Sequence, residues 1–265
     1  MSLLPGAEPY TADGGRVGVL CCHGFTGTPQ PLRELAERYA AAGFTVSLPL
    51  LPGHGTRWQD LALTRWEDWY AAVDRAFCRL TERCDTVAVV GLSMGGTLAL
   101  RLAQQHGTSV AGLVLINPSL TSDNRLLAAL PVLRRTVRTV KGVAGDIKKP
   151  GGREVAYDRT PLAALHSLTR FWRIVAADLP KVTQPVLLFR SLEDHVVEPS
   201  SGRLLLSRIS STEVEERLCE DSYHVATLDH DAAAVLDGSL DFVRRLAPAV
   251  MPSAVPPAMP PVASG

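Results

Sequence analysis

Residues 86–96 read Thr86-Val87-Ala88-Val89-Val90-Gly91-Leu92-Ser93-Met94-Gly95-Gly96, and this stretch decides the fold. Its first five residues favour a buried β-strand, and the apolar stripe in residues 98–103 predicts a helix directly after it. Between them, Gly-x-Ser-x-Gly is typical of a nucleophile elbow, a sharp strand-to-helix turn that exposes a serine hydroxyl. Small residues beside the serine let strand and helix approach without a Cβ clash. We therefore predict that Ser93 is a nucleophile; a structural turn serine is the alternative.

A second strand signal, residues 16–22, runs directly into His23-Gly24-Phe25. A glycine-flanked loop that leaves a strand can aim a backbone N–H at a substrate oxygen, and H-G-x in this place resembles the oxyanion loop of α/β-hydrolases. We expect the N–H groups of Phe25 and Met94 to form an oxyanion hole, the latter at the positive end of the helix after Ser93. His23 is expected to orient the loop rather than to act as a base.

A serine hydroxyl needs a base to accept its proton, and the base needs a third group to hold its tautomer. After this kind of elbow the chain order is serine, then an acid, then histidine. Asp194 and His224 satisfy that order, and each lies in a loop just after a predicted strand. The sequence thus predicts a triad of Ser93, Asp194 and His224, which requires neither a metal nor an organic cofactor.

Other acids and histidines near these positions fit less well. Glu193 and Glu198 share the loop of Asp194, but Glu198 precedes Pro199 and is expected to lead into a helix. His195 and His230 adjoin acidic residues, yet neither follows a strand in the required order.

Composition excludes several classes of protein. The 27 basic and 27 acidic residues give a net charge of zero, which argues against a nucleic-acid surface. The apolar runs are too short for a membrane span, and the first residues lack the basic region of a signal peptide, so we expect a cytoplasmic protein. The five cysteines show neither disulfide nor metal-ligand spacing and are interpreted as reduced thiols.

Strand and helix signals alternate along the chain. They predict an α/β fold with a mostly parallel central sheet and helices on both faces, which brings the loops at the carboxyl ends of the strands together. We expect this domain to cover residues 1–246, with a small cap inserted at about residues 119–182, before the acid-bearing strand. Residues 247–265 contain six prolines and no charge, which predicts a disordered tail.

Five motifs together make the chain resemble the bacterial monoacylglycerol lipases over about residues 16–246. They are His23-Gly24-Phe25-Thr26-Gly27-Thr28-Pro29-Gln30, Pro52-Gly53-His54-Gly55-Thr56, Gly91-Leu92-Ser93-Met94-Gly95-Gly96-Thr97-Leu98, Glu193-Asp194-His195-Val196-Val197 and Ser222-Tyr223-His224-Val225-Ala226-Thr227-Leu228-Asp229. The similarity is weakest in the cap, between residues 119 and 145. We take His54 as part of a structural turn, because turn chemistry alone accounts for its proline and glycines.

This resemblance implies a lipid ester substrate, hydrolysis of monoacylglycerols to fatty acid and glycerol, and a small cap. In the family a cap glutamate contacts the glycerol hydroxyls, and the matching position here is Glu154; a solvated cap carboxylate is the alternative. Apolar residues of the cap between 126 and 133 suit an acyl chain, a transient contact with a membrane or micelle surface, or an ordinary buried helix face.

The same triad serves other reactions. A short- or medium-chain carboxylesterase or a thioesterase would differ only in its acyl and alcohol pockets. An acyltransferase would replace water by an alcohol at the acyl-enzyme, and a hydrolase-fold binding protein would lack activity; the complete triad argues against the last of these.

Overall fold

The apolar runs of the sequence form the strands of one sheet. The computed structural model describes residues 2–247, so the predicted tail from residue 248 onward lies outside the described residues. The strands are β1 (Tyr10–Ala12), β2 (Val17–Cys22), β3 (Thr45–Leu48), β4 (Thr86–Leu92), β5 (Gly112–Ile116), β6 (Thr139–Lys141), β7 (Arg159–Pro161), β8 (Val186–Ser191) and β9 (Val214–Cys219). The helices are α1 (Gln30–Ala41), α2 (Trp58–Leu61), α3 (Trp66–Thr81), α4 (Met94–His106), α5 (Leu130–Leu133), α6 (Leu162–Ala177), α7 (Pro199–Arg208) and α8 (Ala232–Leu246).

Within residues 2–247 the central sheet has seven strands in the order β1-β3-β2-β4-β5-β8-β9. In the described part of this sheet only β1 runs antiparallel to the others. The remaining strands pair in parallel: β2, β3, β4, β5, β8 and β9. Every residue of β4 and β5 is buried, as expected for strands covered on both faces. The register places Leu92 opposite Ile116 and Ile116 opposite Phe189, so the carboxyl ends of β4, β5 and β8 meet at one edge.

Helices cover both faces of this sheet, which confirms the predicted fold class. One core lies beneath α1 and α8 and includes Leu35 and Phe242. The other lies beneath α3, α4 and α6 and includes the fully buried Trp69 and Phe171. Burial of these faces is the main favourable term that holds the layers together.

The predicted cap segment divides into two parts. Its C-terminal part contains α6, whose Phe171 and Val175 are fully buried in the core shared with α3 and α4. The reason is topological: β5 and β8 are parallel, so a crossover helix must cover the sheet between them. The segment that stands over the carboxyl edge is shorter, residues 121–161, and includes α5 and the antiparallel pair β6 and β7. We call residues 121–161 the cap.

Candidate active site

Ser93 occupies a strained turn between β4 and α4. Its backbone angles are φ 57° and ψ −118°, which side-chain-bearing residues rarely adopt. A Cβ on Gly95 would overlap the carbonyl oxygen of Cys22, and one on Gly96 would lie 2.7 Å from Cβ of Pro118. The glycines that follow the serine therefore permit the close approach of α4 to the neighbouring strand ends, as the motif predicts.

Asp194 and His224 form a buried pair at the ends of β8 and β9. His224 Nδ1 lies 2.8 Å from Asp194 Oδ2, and the two side chains are 9% and 6% exposed. The other carboxylate oxygen, Oδ1, accepts the N–H groups of Val196 at 2.9 Å and Val197 at 2.8 Å. Asp194 is thereby fixed in place, and it holds Nδ1 of the imidazole so that Nε2 is left to accept a proton.

Electrostatics favour the charged forms of this pair. Burial alone lowers the pKa of His224, but the charge of Asp194, its hydrogen bond, and the carboxylates of Glu154 and Asp146 outweigh burial and raise the pKa above its usual value. For Asp194, burial raises the pKa. His224 and the two backbone N–H groups lower the pKa by more than burial raises it, so the net shift is downward. An ionised Asp194 stabilises the positive charge that His224 acquires when it accepts a proton, which suits His224 to general base catalysis.

Ser93 and His224 line the same cavity, but the structure records no hydrogen bond between the Ser93 hydroxyl and the His224 ring. The Ser93 residue is 9% exposed. The hydrogen bond between nucleophile and base often forms only once substrate is bound, so its absence here is compatible with a triad.

The cavity measures about 340 Å³ and is mainly apolar. Ser93 and His224 contribute polar groups to its wall, and so does Glu154 from the cap. Its apolar lining includes Phe25, Leu92, Leu127, Val140, Val143, Leu165, Leu168, Trp172, Val196, Val197 and Val225. A cavity of this size and character accommodates a small amphipathic molecule with its polar end at the sheet edge.

The backbone N–H groups predicted for an oxyanion hole belong to the loops that follow two neighbouring strands, β2 and β4. Phe25 follows β2, and Met94 begins α4. Neither N–H donates a hydrogen bond to another of the described residues. Both are therefore available to bind a developing negative charge, and Met94 adds the positive end of the α4 dipole.

His23 holds the loop of Phe25 through backbone contacts. Its Nδ1 donates to the carbonyl of Gly24 at 2.9 Å, and its Nε2 accepts the N–H of Leu51 at 3.1 Å. Burial lowers the pKa of His23 to about 4. A neutral ring with both nitrogens occupied orients the loop, in line with the expectation from sequence. His54 is buried against it and outside the cavity lining.

Glu154 reaches the cavity because its segment runs along the oxyanion loop. Gln30 bonds the carbonyl of Arg153 at 3.1 Å and the N–H of Val155 at 3.1 Å, so the residues on both sides of Glu154 are fixed. Glu154 Oε2 accepts the N–H of Gly145 at 2.8 Å. Burial raises the pKa of this carboxyl, and the Gly145 N–H and His224 partly offset the shift.

The competing acids and histidines do not take part in this pair, although His195 and Glu198 also line the cavity. Glu193, 55% exposed, and His195, 54% exposed, face each other at the surface, and His230 is also exposed. Glu198 accepts the hydroxyl of Ser122 at 2.8 Å and stands directly before α7. Neither Glu193 nor Glu198 has a hydrogen bond to His224 among the described residues.

Side chains that sequence reasoning missed hold the loop of His224. Asn117, at the end of β5, donates to the carbonyl of His224 at 2.8 Å and bonds both the N–H and the hydroxyl of Ser191. Asp229 is 1% exposed and accepts four backbone N–H groups, at 2.6–2.9 Å, from both the cap and its own loop. Only Asn117 carries a local signal, since it follows a buried strand directly, as the other site residues do.

The sheet order, the strained serine after β4 and the Asp194–His224 pair define a serine hydrolase of the α/β-hydrolase fold. Residues 16–231 match the family model described as serine aminopeptidase, S33, and the chain belongs to this family.

Named relatives agree with that assignment. The chain is 44% identical over 245 residues to the thermostable monoacylglycerol lipase of Bacillus sp. (strain H-257), covering 92% of this chain and 97% of that protein. A solved structure from work on LipS and LipT, two metagenome-derived lipolytic enzymes, is 44% identical, with a TM-score of 0.89 over 92% of this chain and 100% of the other. The monoacylglycerol lipase of Paleococcus ferrophilus shares the fold at 18% identity, with a TM-score of 0.76 over 91% and 100% of the two chains.

Proposed function

We propose that this protein hydrolyses monoacylglycerols to a fatty acid and glycerol through an acyl-enzyme on Ser93. The observation that carries the proposal is one mainly apolar cavity that Ser93, His224 and the cap carboxylate Glu154 all line. The apolar wall suits an acyl chain, and a carboxylate near the serine suits the hydroxyls of a small polyol. The 44% identity to the Bacillus lipase supports the same substrate class.

The proposed reaction assigns each group one role. His224 Nε2 takes the hydroxyl proton of Ser93 as its oxygen attacks the ester carbonyl, and the N–H groups of Phe25 and Met94 bind the oxyanion. His224 then gives that proton to the leaving glycerol oxygen, which breaks the ester bond. A water then attacks the acyl carbonyl while the same ring takes its proton. The ring passes this proton to the oxygen of Ser93 as the bond to the acyl group breaks, which releases the fatty acid and restores the serine hydroxyl. Asp194 stabilises the imidazolium throughout.

The test is fatty-acid release by wild type and by Ser93→Ala. Monoacylglycerols of several chain lengths would be compared with a diacylglycerol, a triacylglycerol and a short p-nitrophenyl ester. We expect a preference for monoacylglycerol that disappears in Ser93→Ala. Rapid cleavage of the activated short ester alone would make the protein a general carboxylesterase. Transfer of the acyl group to an added alcohol in place of water would make it an acyltransferase.

Glu154 is proposed to bind the glycerol hydroxyls. Glu154→Gln keeps the size of the side chain but removes its charge, so we expect turnover of monoacylglycerol to fall more than turnover of a simple alkyl ester of the same acid. Equal losses on both substrates would remove the glycerol role.

The cap is also proposed to contact a lipid surface. Its most exposed apolar side chains are Leu126, at 72%, Val132, at 68%, and Val143, at 52%. Residues 124–145 contain no acidic residue. The exposed basic residues in this range are Arg125, Arg134, Arg135, Arg138 and Lys141. Apolar and basic side chains together suit the interface of an anionic bilayer. Among residues 2–247, none of the helices combines the length and the hydropathy of a membrane-spanning segment.

A further inference from the structure

Asp146 joins the cap to both loops of the proposed triad. It lies between β6 and β7, and its side chain is 15% exposed. Oδ2 accepts the backbone N–H of His224 at 3.2 Å and that of His195 at 3.1 Å, while Oδ1 lies 2.8 Å from His195 Nδ1. Its own carbonyl accepts the N–H of Val225 at 3.1 Å. Asp146 therefore connects the cap to both loops, through His195, which follows Asp194, and through His224 itself.

Side chains from three different segments therefore fix His224. Asp146 binds its N–H, Asn117 binds its carbonyl, and Asp194 binds its ring. The imidazole can be placed correctly over Ser93 only if the backbone that carries it is held, because His224 lies in a loop rather than in a strand or helix. Asn117 and Asp194 belong to the sheet edge, whereas Asp146 belongs to the cap.

We propose that Asp146 is a positioning residue of the reaction, which aligns the general base His224 only while this part of the cap is bound to the sheet edge. This inference rests on the proposed function of the triad. It gives the cap a part in the chemical step, in addition to lining the cavity.

The charge of Asp146 gives the proposal a specific readout. The carboxylates that face His224 are Asp194 from the acid loop and Glu154 and Asp146 from the cap, and each of them raises its pKa. The charged groups around His195 are the carboxylates of Asp146, Glu193 and Asp194. Lys148 forms ion pairs with Glu193 and Asp221 beside them. Removal of the Asp146 charge should therefore lower the pKa of His224, and the acid limb of kcat/KM should move to lower pH.

The experiment compares Asp146→Ala, Asp146→Asn and Glu193→Gln on a short p-nitrophenyl ester, which avoids any glycerol contact of Glu154. Asp146→Ala removes the side-chain bonds to the N–H groups of His224 and His195, while the backbone bond to Val225 remains. We therefore expect kcat to fall by on the order of 10²-fold with little change in KM. Asp146→Asn keeps an oxygen for the two backbone N–H groups, so it should retain most of kcat but show the shifted acid limb. Glu193→Gln removes the same charge from the acid loop without touching His224 and should show neither effect.

Active-site titration with a fluorophosphonate would count the competent serines in each variant. Wild-type kcat per competent site in Asp146→Ala, or equal acid limbs for Asp146→Asn, Glu193→Gln and wild type, would overturn the inference. If Asp146→Ala does not fold, the pH profile of Asp146→Asn decides. Activity retained by Ser93→Ala would overturn the proposed function and this inference together, whereas its loss combined with wild-type behaviour of the Asp146 variants would overturn the inference alone.

Discussion

The two carboxylate oxygens of Asp194 accept hydrogen bonds from different partners, and this difference makes the role of Asp194 testable. Oδ1 accepts two backbone N–H groups, and Oδ2 accepts His224 Nδ1–H. Asp194→Asn would keep the shape but place an N–H against one of these donors, which favours the wrong tautomer of His224. We expect kcat to fall about 10⁴-fold, as in the serine triad template. The measurement is kcat with a p-nitrophenyl ester, and a variant that keeps most of its activity would contradict the assignment of the acid.

The pH dependence of the reaction follows from His224. Only the neutral ring can accept the proton of Ser93, so kcat/KM should rise with pH and level off once the ring is neutral. Because the carboxylates around the ring raise its pKa, the midpoint of this rise should lie above the ordinary histidine value of 6.5. A pH–rate profile of kcat/KM checks this, and Glu154→Gln should lower the midpoint. A wild-type midpoint below 6.5 would contradict the electrostatic account.

The junction of β4 and α4 carries backbone strain that a single substitution can measure. Ser93 has φ 57° and ψ −118°, close to the φ 53° and ψ −128° of Gly107 at the other end of α4. A residue with a side chain pays about 1–3 kcal/mol for such angles. Ser93→Gly removes this cost but adds roughly 0.5–1 kcal/mol of chain entropy.

We therefore expect Ser93→Gly to be more stable than Ser93→Ala by about 1 kcal/mol in the free energy of unfolding. Ser93→Ala is the matched control, because it also lacks the hydroxyl but keeps the Cβ. Urea denaturation of both inactive variants gives the difference. Equal stability would mean that this turn is not strained.

Elements defined by local patterns were predictable, while their ends depended on distant side chains. The spacing of Thr64 and Glu67 predicts a capping box for α3. Instead the N-cap of α3 is Arg65, one residue after Thr64, and the Arg65 N–H donates to the carboxylate of Asp68 at 2.9 Å. The hydroxyl of Thr64 accepts the indole N–H of the buried Trp69 at 2.9 Å, so tertiary packing decides its role.

Across the whole molecule, strand order brings together residues far apart in sequence. The sequence sufficed to propose Ser93, Asp194 and His224, because each follows a strand and parallel strands end at one edge. It could not indicate Asp146, which lies 78 residues from His224 in a part of the cap without strand or helix signals. Nor could it show that α6 belongs to the core, since an amphipathic stripe is the same on a cap helix and on a crossover helix.

Charge is distributed unevenly along the chain, and this distribution allows a test of the proposed lipid contact. The chain as a whole is neutral, yet residues 124–145 carry five basic groups and no acid beside exposed leucine and valine side chains. Each basic group near an anionic surface contributes about 1 kcal/mol. We expect inactive Ser93→Ala protein to bind phosphatidylglycerol-containing vesicles more tightly than pure phosphatidylcholine vesicles, and less tightly as salt is added.

In the same background, changing Arg134, Arg135 and Arg138 to glutamine should weaken binding to anionic vesicles by on the order of 100-fold, since three such contributions act together but not fully additively. The charge-matched control changes Arg75, Arg79 and Arg208, exposed arginines of α3 and α7 outside the cap. Vesicle co-sedimentation measures both variants. Equal weakening by the two triple variants would mean that net charge alone drives binding. Unchanged binding in the cap variant would remove the cap arginines from the lipid contact.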